Sequence, residues 1–200
     1  MGAIFQSLGR TITAGVVVLI VLLAILAAAG GRVPLGDHGW WFFAMRWLHV
    51  TAGVMWIGLL WYFNFVQTPS MPKIPDEQKP AVSKVIAPAA LFWFRWAAMA
   101  TLILGLILAL MGGYLVQALT LQKPFTSIGI GAWLGTIMWF NVWFIIWPNQ
   151  KKALGIVTVP ADEKAAAAKR AGVASRINTM LSIPMLYFMV AQSHGGVVFQ

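Results

Sequence analysis

The stretch TITAGVVVLIVLLAILAAAG, residues 11–30, decides the class of fold because it contains no charged residue. About 20 apolar residues in a helix are enough to cross the roughly 30 Å hydrocarbon core of a bilayer. Four more stretches of this kind lie at residues 42–66, 89–119, 128–147 and 174–193. Their long, non-alternating apolar runs are typical of membrane helices and not of barrel strands. The sequence therefore predicts an all-α integral membrane bundle of five transmembrane helices, in a single membrane domain over residues 1–200.

The composition supports this prediction. Of the 200 residues, 60% are hydrophobic and 10% are charged, whereas a soluble domain has about 25% charged residues. These values exclude a soluble globular domain, a disordered chain and a coiled coil. The first apolar run exceeds the length of a signal-peptide core, so we expect it to be a retained helix. The absence of Cys excludes disulfides, thiolate metal sites and a covalently attached c-type haem.

The basic residues predict the orientation in the membrane. With five spans, eleven Lys and Arg residues fall on one side and three on the other, out of 14. Cytoplasmic loops are enriched in Lys and Arg, so this asymmetry places the N-terminus in the cytoplasm and the C-terminus in the periplasm. The net charge of +9 is thereby explained by orientation, and we expect no nucleic-acid partner. All five carboxylates fall outside the predicted spans, which argues against proton-coupled transport.

The three histidines, His38, His49 and His194, all fall on the predicted outer side. His49 lies about 12 Å inside the membrane at the helical rise of 1.5 Å per residue. An ionisable side chain at that depth marks a functional site, and imidazole is a ligand for haem iron and for copper. Gly53, one turn further on, gives room for a flat macrocycle, and Arg46 is placed to pair with a haem propionate. Each of these residues also has a purely structural interpretation. His49 would form a hydrogen bond to a neighbouring helix, and His38 and His194 would be ordinary interfacial residues. Gly53 would allow close helix packing, and Arg46 would extend its charge to the lipid headgroups.

Other polar residues inside the spans predict a buried hydrogen-bond network that joins helix ends. They are Asn64, Asn141, Asn149, Asn178, Thr179 and Ser182. Outside the spans, residues 160–170 predict a short cytoplasmic helix with Asp162 and Glu163 in its first turn. Residues 67–88 contain five prolines and predict an irregular loop.

Three blocks of the chain resemble the membrane domain of the bacterial cytochrome c-linked urate hydroxylases, the urate oxidase N-terminal family. The first is HVTAGVMWIGLLWYFNFVQTP at 49–69, the second is WFNVWFIIWPNQKK at 139–152, and the third begins ASRINTMLSIPML at 174 and runs to His194. Together they span most of residues 40–194. The pattern of His49, Trp56 and Gly58 also resembles membrane haem proteins of the protoporphyrinogen oxidase type and copper-resistance membrane domains.

The resemblance implies a redox protein of the bacterial inner membrane. It implies haem b held by His49 and His194 as axial ligands, with Arg46, Gly53 and Trp56 around it and His38 as a lesser ligand candidate. These 200 residues contain no Cys to which a c-type haem could be attached. The electron acceptor is therefore expected to be a separate periplasmic cytochrome c. The resemblance leaves the substrate open. Two alternatives remain: a non-catalytic accessory subunit of a larger membrane respiratory or oxidase complex, and a copper-handling membrane protein using these histidines with Met45 or Met55.

Overall fold

The structure, a computed structural model, describes residues 2–197 and every side chain among them except that of Ala3. It contains helices and no strand within this range. Five helical stretches are long and apolar enough to cross a membrane, which confirms the predicted all-α membrane class. Their main helices are α1 Leu8–Ala28, α2 His38–Trp61, α3 Ala87–Met111, α4 Thr126–Phe140 and α5 Ala161–His194.

The helix bounds differ from the predicted spans in two places. The predicted span 89–119 breaks after Met111, because Gly113 adopts a φ of 70° that ends a helix readily, and a separate short helix covers Leu115–Leu119. The predicted short helix at 160–170 is instead the first part of α5. No strong helix breaker separates it from the span that follows, so α5 runs unbroken for 34 residues.

The proline-rich loop at residues 67–88 is more helical than predicted. It contains the short helices Thr68–Ser70, Met71–Lys73 and Lys79–Ala81. Each has proline in its first two positions, where the missing N–H costs no hydrogen bond. Proline therefore starts helices here, and only the stretch between Lys73 and Lys79 stays irregular as predicted.

The chain divides into two compact units between Phe43 and Ala44. The first unit contains α1, none of whose side chains is buried, and the first residues of α2. In this unit the indole of Trp41 donates a hydrogen bond to the Leu35 carbonyl at 2.9 Å. This contact joins the start of α2 to the loop that precedes it.

The second unit contains the rest of α2 with α3, α4 and α5. Its core is a cluster of apolar side chains contributed by all four helices and the segments that extend them, and its members include Trp56, Leu60, Phe94, Met138, Val142, Ile146 and Met185. At one end of this unit lie Ala44, where its part of α2 begins, the start of α4 and the ends of α3 and α5. We call it the histidine end, because His49 and His194 lie toward it. The other end, where α5 begins and Lys151 and Lys152 lie, is the basic end.

Three of the long helical stretches contain a π-helical segment in the half nearer the basic end. These segments are Tyr62–Gln67 after α2, Val82–Ile86 before α3 and Asn141–Ile146 after α4. A π-helical turn alters the regular backbone pairing, and in a membrane neighbouring side chains must satisfy the affected groups. Just before the π-helical segment that follows α4, the amide of Asn178 of α5 donates to the Met138 carbonyl at 2.9 Å. Its own oxygen accepts a hydrogen bond of 2.8 Å from Asn141.

The predicted polar network is confirmed for four of its six members. In addition to the Asn141–Asn178 pair, the indole of Trp61 donates to Ser182 Oγ at 3.0 Å, and the amide of Asn64 donates to Ser175 Oγ at 2.8 Å. These bonds join α2 to α5. Asn149 and Thr179 bond only to carbonyls of their own helices.

Close glycine contacts hold α4 against its neighbours. A Cβ at Gly129 would collide with the carbonyl oxygen of Ala118, and one at Gly131 would lie 3.1 Å from the backbone nitrogen of Met189. Small residues let membrane helices approach closely in this way. The backbone of α4 therefore has no room for a side chain at these positions.

Replacing Gly129 with alanine is expected to destabilise the fold by about 1–3 kcal/mol, because the clash is with backbone that cannot rotate away. Unfolding of the purified protein in mixed micelles measures the change. Gly58→Ala is the matched control, since a Cβ there meets nothing within 4 Å. Equal stability of the two variants would contradict the packing described for α4.

Candidate functional site

The imidazole of His49 packs against α3 near the histidine end. Its Nδ1 lies 2.9 Å from the backbone carbonyl oxygen of Thr101. One turn further along α3, a Cβ at Gly105 would lie 2.9 Å from His49 Cε1 and 3.2 Å from Nδ1. The ring therefore occupies the space that the missing side chain of Gly105 leaves, and it is half-buried.

This hydrogen bond shows which ring nitrogen carries a hydrogen. A carbonyl oxygen only accepts, so Nδ1 of His49 is the donor. In the neutral ring the lone pair is then on Nε2, which is the arrangement that a metal-ligating histidine adopts when a backbone carbonyl orients it. His49 is thus both oriented and in the tautomer that coordination needs.

Gly53 and Trp56 lie on the same face of α2 as His49, at positions four and seven residues later. A Cβ at Gly53 would lie 3.9 Å from Cγ2 of Thr101, an ordinary packing distance, so Gly53 faces α3. Trp56 is 2% exposed, and its indole N–H finds no acceptor among the described residues. A buried N–H without a partner costs free energy, which makes Trp56 a donor available to a bound group.

His194, the last residue of α5, lies at the same level of the bundle as His49. The Trp61–Ser182 and Asn64–Ser175 bonds show that α2 and α5 run antiparallel. His49 precedes Trp61 by twelve residues and His194 follows Ser182 by twelve, so both lie about 18 Å from that crossing toward the histidine end. The Nδ1 of His194 lies 3.1 Å from the Val190 carbonyl, which again leaves the lone pair on Nε2.

The end of α5 that carries His194 is fastened to the start of α4. The side-chain oxygen of Gln192 accepts from the backbone N–H of Ile128 at 3.1 Å, and its amide donates to the Pro124 carbonyl at 3.1 Å. The hydroxyl of Tyr187 donates to the Gly196 carbonyl at 2.9 Å. His194 itself is exposed, but the helix end that carries it is held at several points.

Arg46 and His38 complete the predicted set. Arg46 is exposed and lies one turn before His49 on α2. Its charge acts on the phenol of Tyr114. The ring of Tyr114 stacks on that of Phe125, with ring centroids 5.1 Å apart. Burial raises the pKa of the Tyr114 phenol, and the charge of Arg46 opposes that rise. His38 is the first residue of α2 and stacks on Phe42 of the same helix, with ring centroids 6.5 Å apart. Across residues 2–197, no three His, Cys, Asp or Glu side chains form a group that could hold a metal ion.

Comparison with known proteins identifies the C-terminal part of the chain. Residues 124–200 match the model of the urate oxidase N-terminal family. This segment is similar to the urate oxidase N-terminal family. No curated protein and no solved structure matches the chain.

The match to the urate oxidase N-terminal family confirms the resemblance seen at 139–152 and in the block that begins at Ala174. It covers α4 and α5 and therefore His194. The block at 49–69, with His49, lies outside the matched residues. The roles predicted for His49 and for the residues around it are therefore not covered by this match.

Two features of the structure were not predicted from the sequence. Thr101 and Gly105, which hold the His49 ring, look like ordinary residues of an apolar helix. At the basic end lies a cavity of about 220 Å³ whose largely apolar lining includes the polar residues Asn64, Gln67, Gln150 and Arg176. The side-chain oxygens of Gln67 and Gln150 are buried and have no partner among the described residues. Polar residues dispersed along three helices gave no local pattern from which to predict this cavity.

Proposed function

We propose that the protein is an integral membrane redox protein that binds haem b at the histidine end and passes electrons to a periplasmic cytochrome c. His49 and His194 would be the axial ligands. The observation that carries this proposal is the hydrogen bond from His49 Nδ1 to the Thr101 carbonyl, which leaves Nε2 as the free ligand atom. The position of His194 at the same level of the bundle supports it.

The residues at this end fit a haem in their donor chemistry. Two imidazoles on antiparallel helices each have the Nδ1–H tautomer, with a backbone carbonyl as hydrogen-bond acceptor. Such a carbonyl raises the basicity of the ligand nitrogen and fixes the direction of the ring. The unpartnered indole N–H of Trp56 and the cationic Arg46 add a donor and a positive charge on the same helix. Bound haem would supply one-electron transfer, and these side chains would hold and orient it.

The charge distribution supports an orientation for this function. Lys and Arg residues are concentrated at the basic end and are sparse at the histidine end. The proposed orientation in the bacterial inner membrane has the basic end toward the cytoplasm and the histidine end toward the periplasm. A periplasmic cytochrome c would then meet the side of the membrane at which the haem lies.

The experiment that tests this function is metal analysis of the protein purified gently from membranes. We expect iron at one atom per chain together with extractable haem b. Copper without iron would replace the proposal with copper handling by His49, His194 and a methionine such as Met45 or Met55. Purification without either metal, in a stable complex with other membrane subunits, would replace it with an accessory structural role.

Gly105→Ala is expected to disturb the site through the position of the imidazole. The added Cβ would lie 2.9 Å from His49 Cε1, so the ring must move and its bond to Thr101 must lengthen. We expect a shifted Soret band. The affinity for haem should fall about 10–100-fold, as it does when a ligand loses the partner that orients it. Gly58→Ala, where a Cβ meets nothing within 4 Å, is the control and should leave the spectrum unchanged. A wild-type spectrum in Gly105→Ala would show that His49 is not the ligand.

A further inference from the structure

A groove near the basic end has the shape and charge of a lipid site. It lies between α5 and the π-helical segment Asn141–Ile146 and has a volume of about 390 Å³. Asn141 and Ile145 line one side, and Val173, Ala174 and Ile177 of α5 line the other. Lys169 and Arg170 close it at the end nearer the start of α5.

The residues that α5 contributes form one stripe along the helix. Lys169, Val173 and Ile177 follow one another at four-residue intervals, and Arg170 and Ala174 do the same beside them. From Lys169 to Ile177 the stripe is about 12 Å long. It passes from two cations to apolar side chains, in the same order in which a phospholipid passes from headgroup to acyl chain.

The charge at the groove is unbalanced. No carboxylate lines it, and neither Lys169 nor Arg170 takes part in an ion pair among the described residues. Of the two carboxylates in the first turn of α5, Glu163 is already paired with Lys152 at 2.6 Å, and Asp162 precedes Lys169 by about two turns. The groove is therefore complementary to an anion with an apolar tail.

We propose that this groove binds one phospholipid with an anionic headgroup in the membrane leaflet at the basic end. Lys169 and Arg170 would contact the headgroup phosphate, and the acyl chain would lie along Ile145, Val173 and Ile177. Basic pockets between membrane helices bind anionic headgroups by this combination of charge and apolar contact. The proposal is independent of the haem, because the groove borders neither His49 nor His194.

Native mass spectrometry of the full chain in detergent, titrated with phosphatidylglycerol or phosphatidylcholine, tests the proposal. We expect one phosphatidylglycerol per chain, bound more tightly than phosphatidylcholine, with an affinity that falls as salt rises. The Lys169→Gln, Arg170→Gln double variant should bind phosphatidylglycerol about 30-fold more weakly, at about 1 kcal/mol for each cation near an anionic lipid surface. The matched control is Lys73→Gln, Lys84→Gln, which removes two cations outside the groove and should bind as the wild type does.

Val173→Trp provides a second variant, because it fills the groove without changing its charge. We expect it to weaken phosphatidylglycerol binding while the protein stays folded and inserted. Three results would overturn the proposal: equal affinity for the two lipids, equal weakening in the control double variant, or a dimer in which the groove is covered by a second copy and takes up no lipid.

Discussion

His49→Ala is expected to give a protein that inserts into the membrane but binds no haem b. The substitution removes the imidazole whose Nδ1 donates to the Thr101 carbonyl and whose Nε2 is the free ligand atom. The cavity that it leaves is lined on the α3 side by Gly105, which has no side chain to replace the ligand. The purified variant should show no Soret band, while its yield from the membrane fraction and its helical circular dichroism match those of the wild type.

Two further variants separate ligand loss from misfolding. His49→Gly should regain a Soret band when free imidazole is added, because the folded site then accepts the missing ring. His38→Ala should keep its haem, since His38 stacks on Phe42 of its own helix at the start of α2. Full haem content in His49→Ala, or its loss in His38→Ala alone, would contradict the assignment of His49.

Asn178→Leu is expected to cause the largest loss of stability among the polar substitutions. Asn178 is 0% exposed and holds two partners, the Met138 carbonyl and the amide of Asn141. Leucine bonds to neither, and the part-buried amide of Asn141 then loses its acceptor, which costs about 1–3 kcal/mol. The unfolding transition in mixed micelles should therefore move to clearly lower denaturant concentration, and the π-helical segment after α4 should exchange its amide hydrogens faster.

Asn149→Leu is the matched control for this variant. Asn149 is half-buried, and its amide bonds only to the Ile145 carbonyl of its own helix at 2.7 Å. Its replacement should change the unfolding midpoint by less than Asn178→Leu does. If the two variants were equally stable, the Asn141–Asn178 pair would not be what joins α4 to α5.

The number and class of the helices follow directly from the sequence. Runs such as residues 11–30 are too long and too apolar for any other structure. Pro160, Asp162 and Glu163 correctly mark where a helix begins, but the sequence predicted a separate short helix there and not the first part of α5. The end of α3 could not be predicted from hydropathy, because the Gly112–Gly113 pair lies within a run that stays apolar through Leu119. Hydropathy carries no information about the backbone φ of 70° at Gly113, so the predicted span extended beyond Met111, where the helix ends.

The residues of the candidate site on α2 could be predicted from the sequence, but their contacts on α3 could not. His49 stands out as an ionisable residue in an apolar helix, and Gly53 and Trp56 follow from helical spacing on the same face. Its contacts on α3 do not stand out, because Thr101 and Gly105 acquire their role only from the way α2 and α3 pack together. The π-helical segments have no sequence signature at the level of single residues, although one of them contains Asn141, which donates to Asn178.

The most direct test of the redox proposal is the difference spectrum of the purified full chain, dithionite-reduced minus air-oxidised. Haem b held by two imidazoles is low-spin, so the spectrum should show a sharp α band and a shifted Soret band on reduction. Oxidised periplasmic cytochrome c added to the reduced protein should then abolish both changes. A flat difference spectrum from protein that is folded and contains α1 to α5 would contradict the assignment of His49 and His194 as haem ligands.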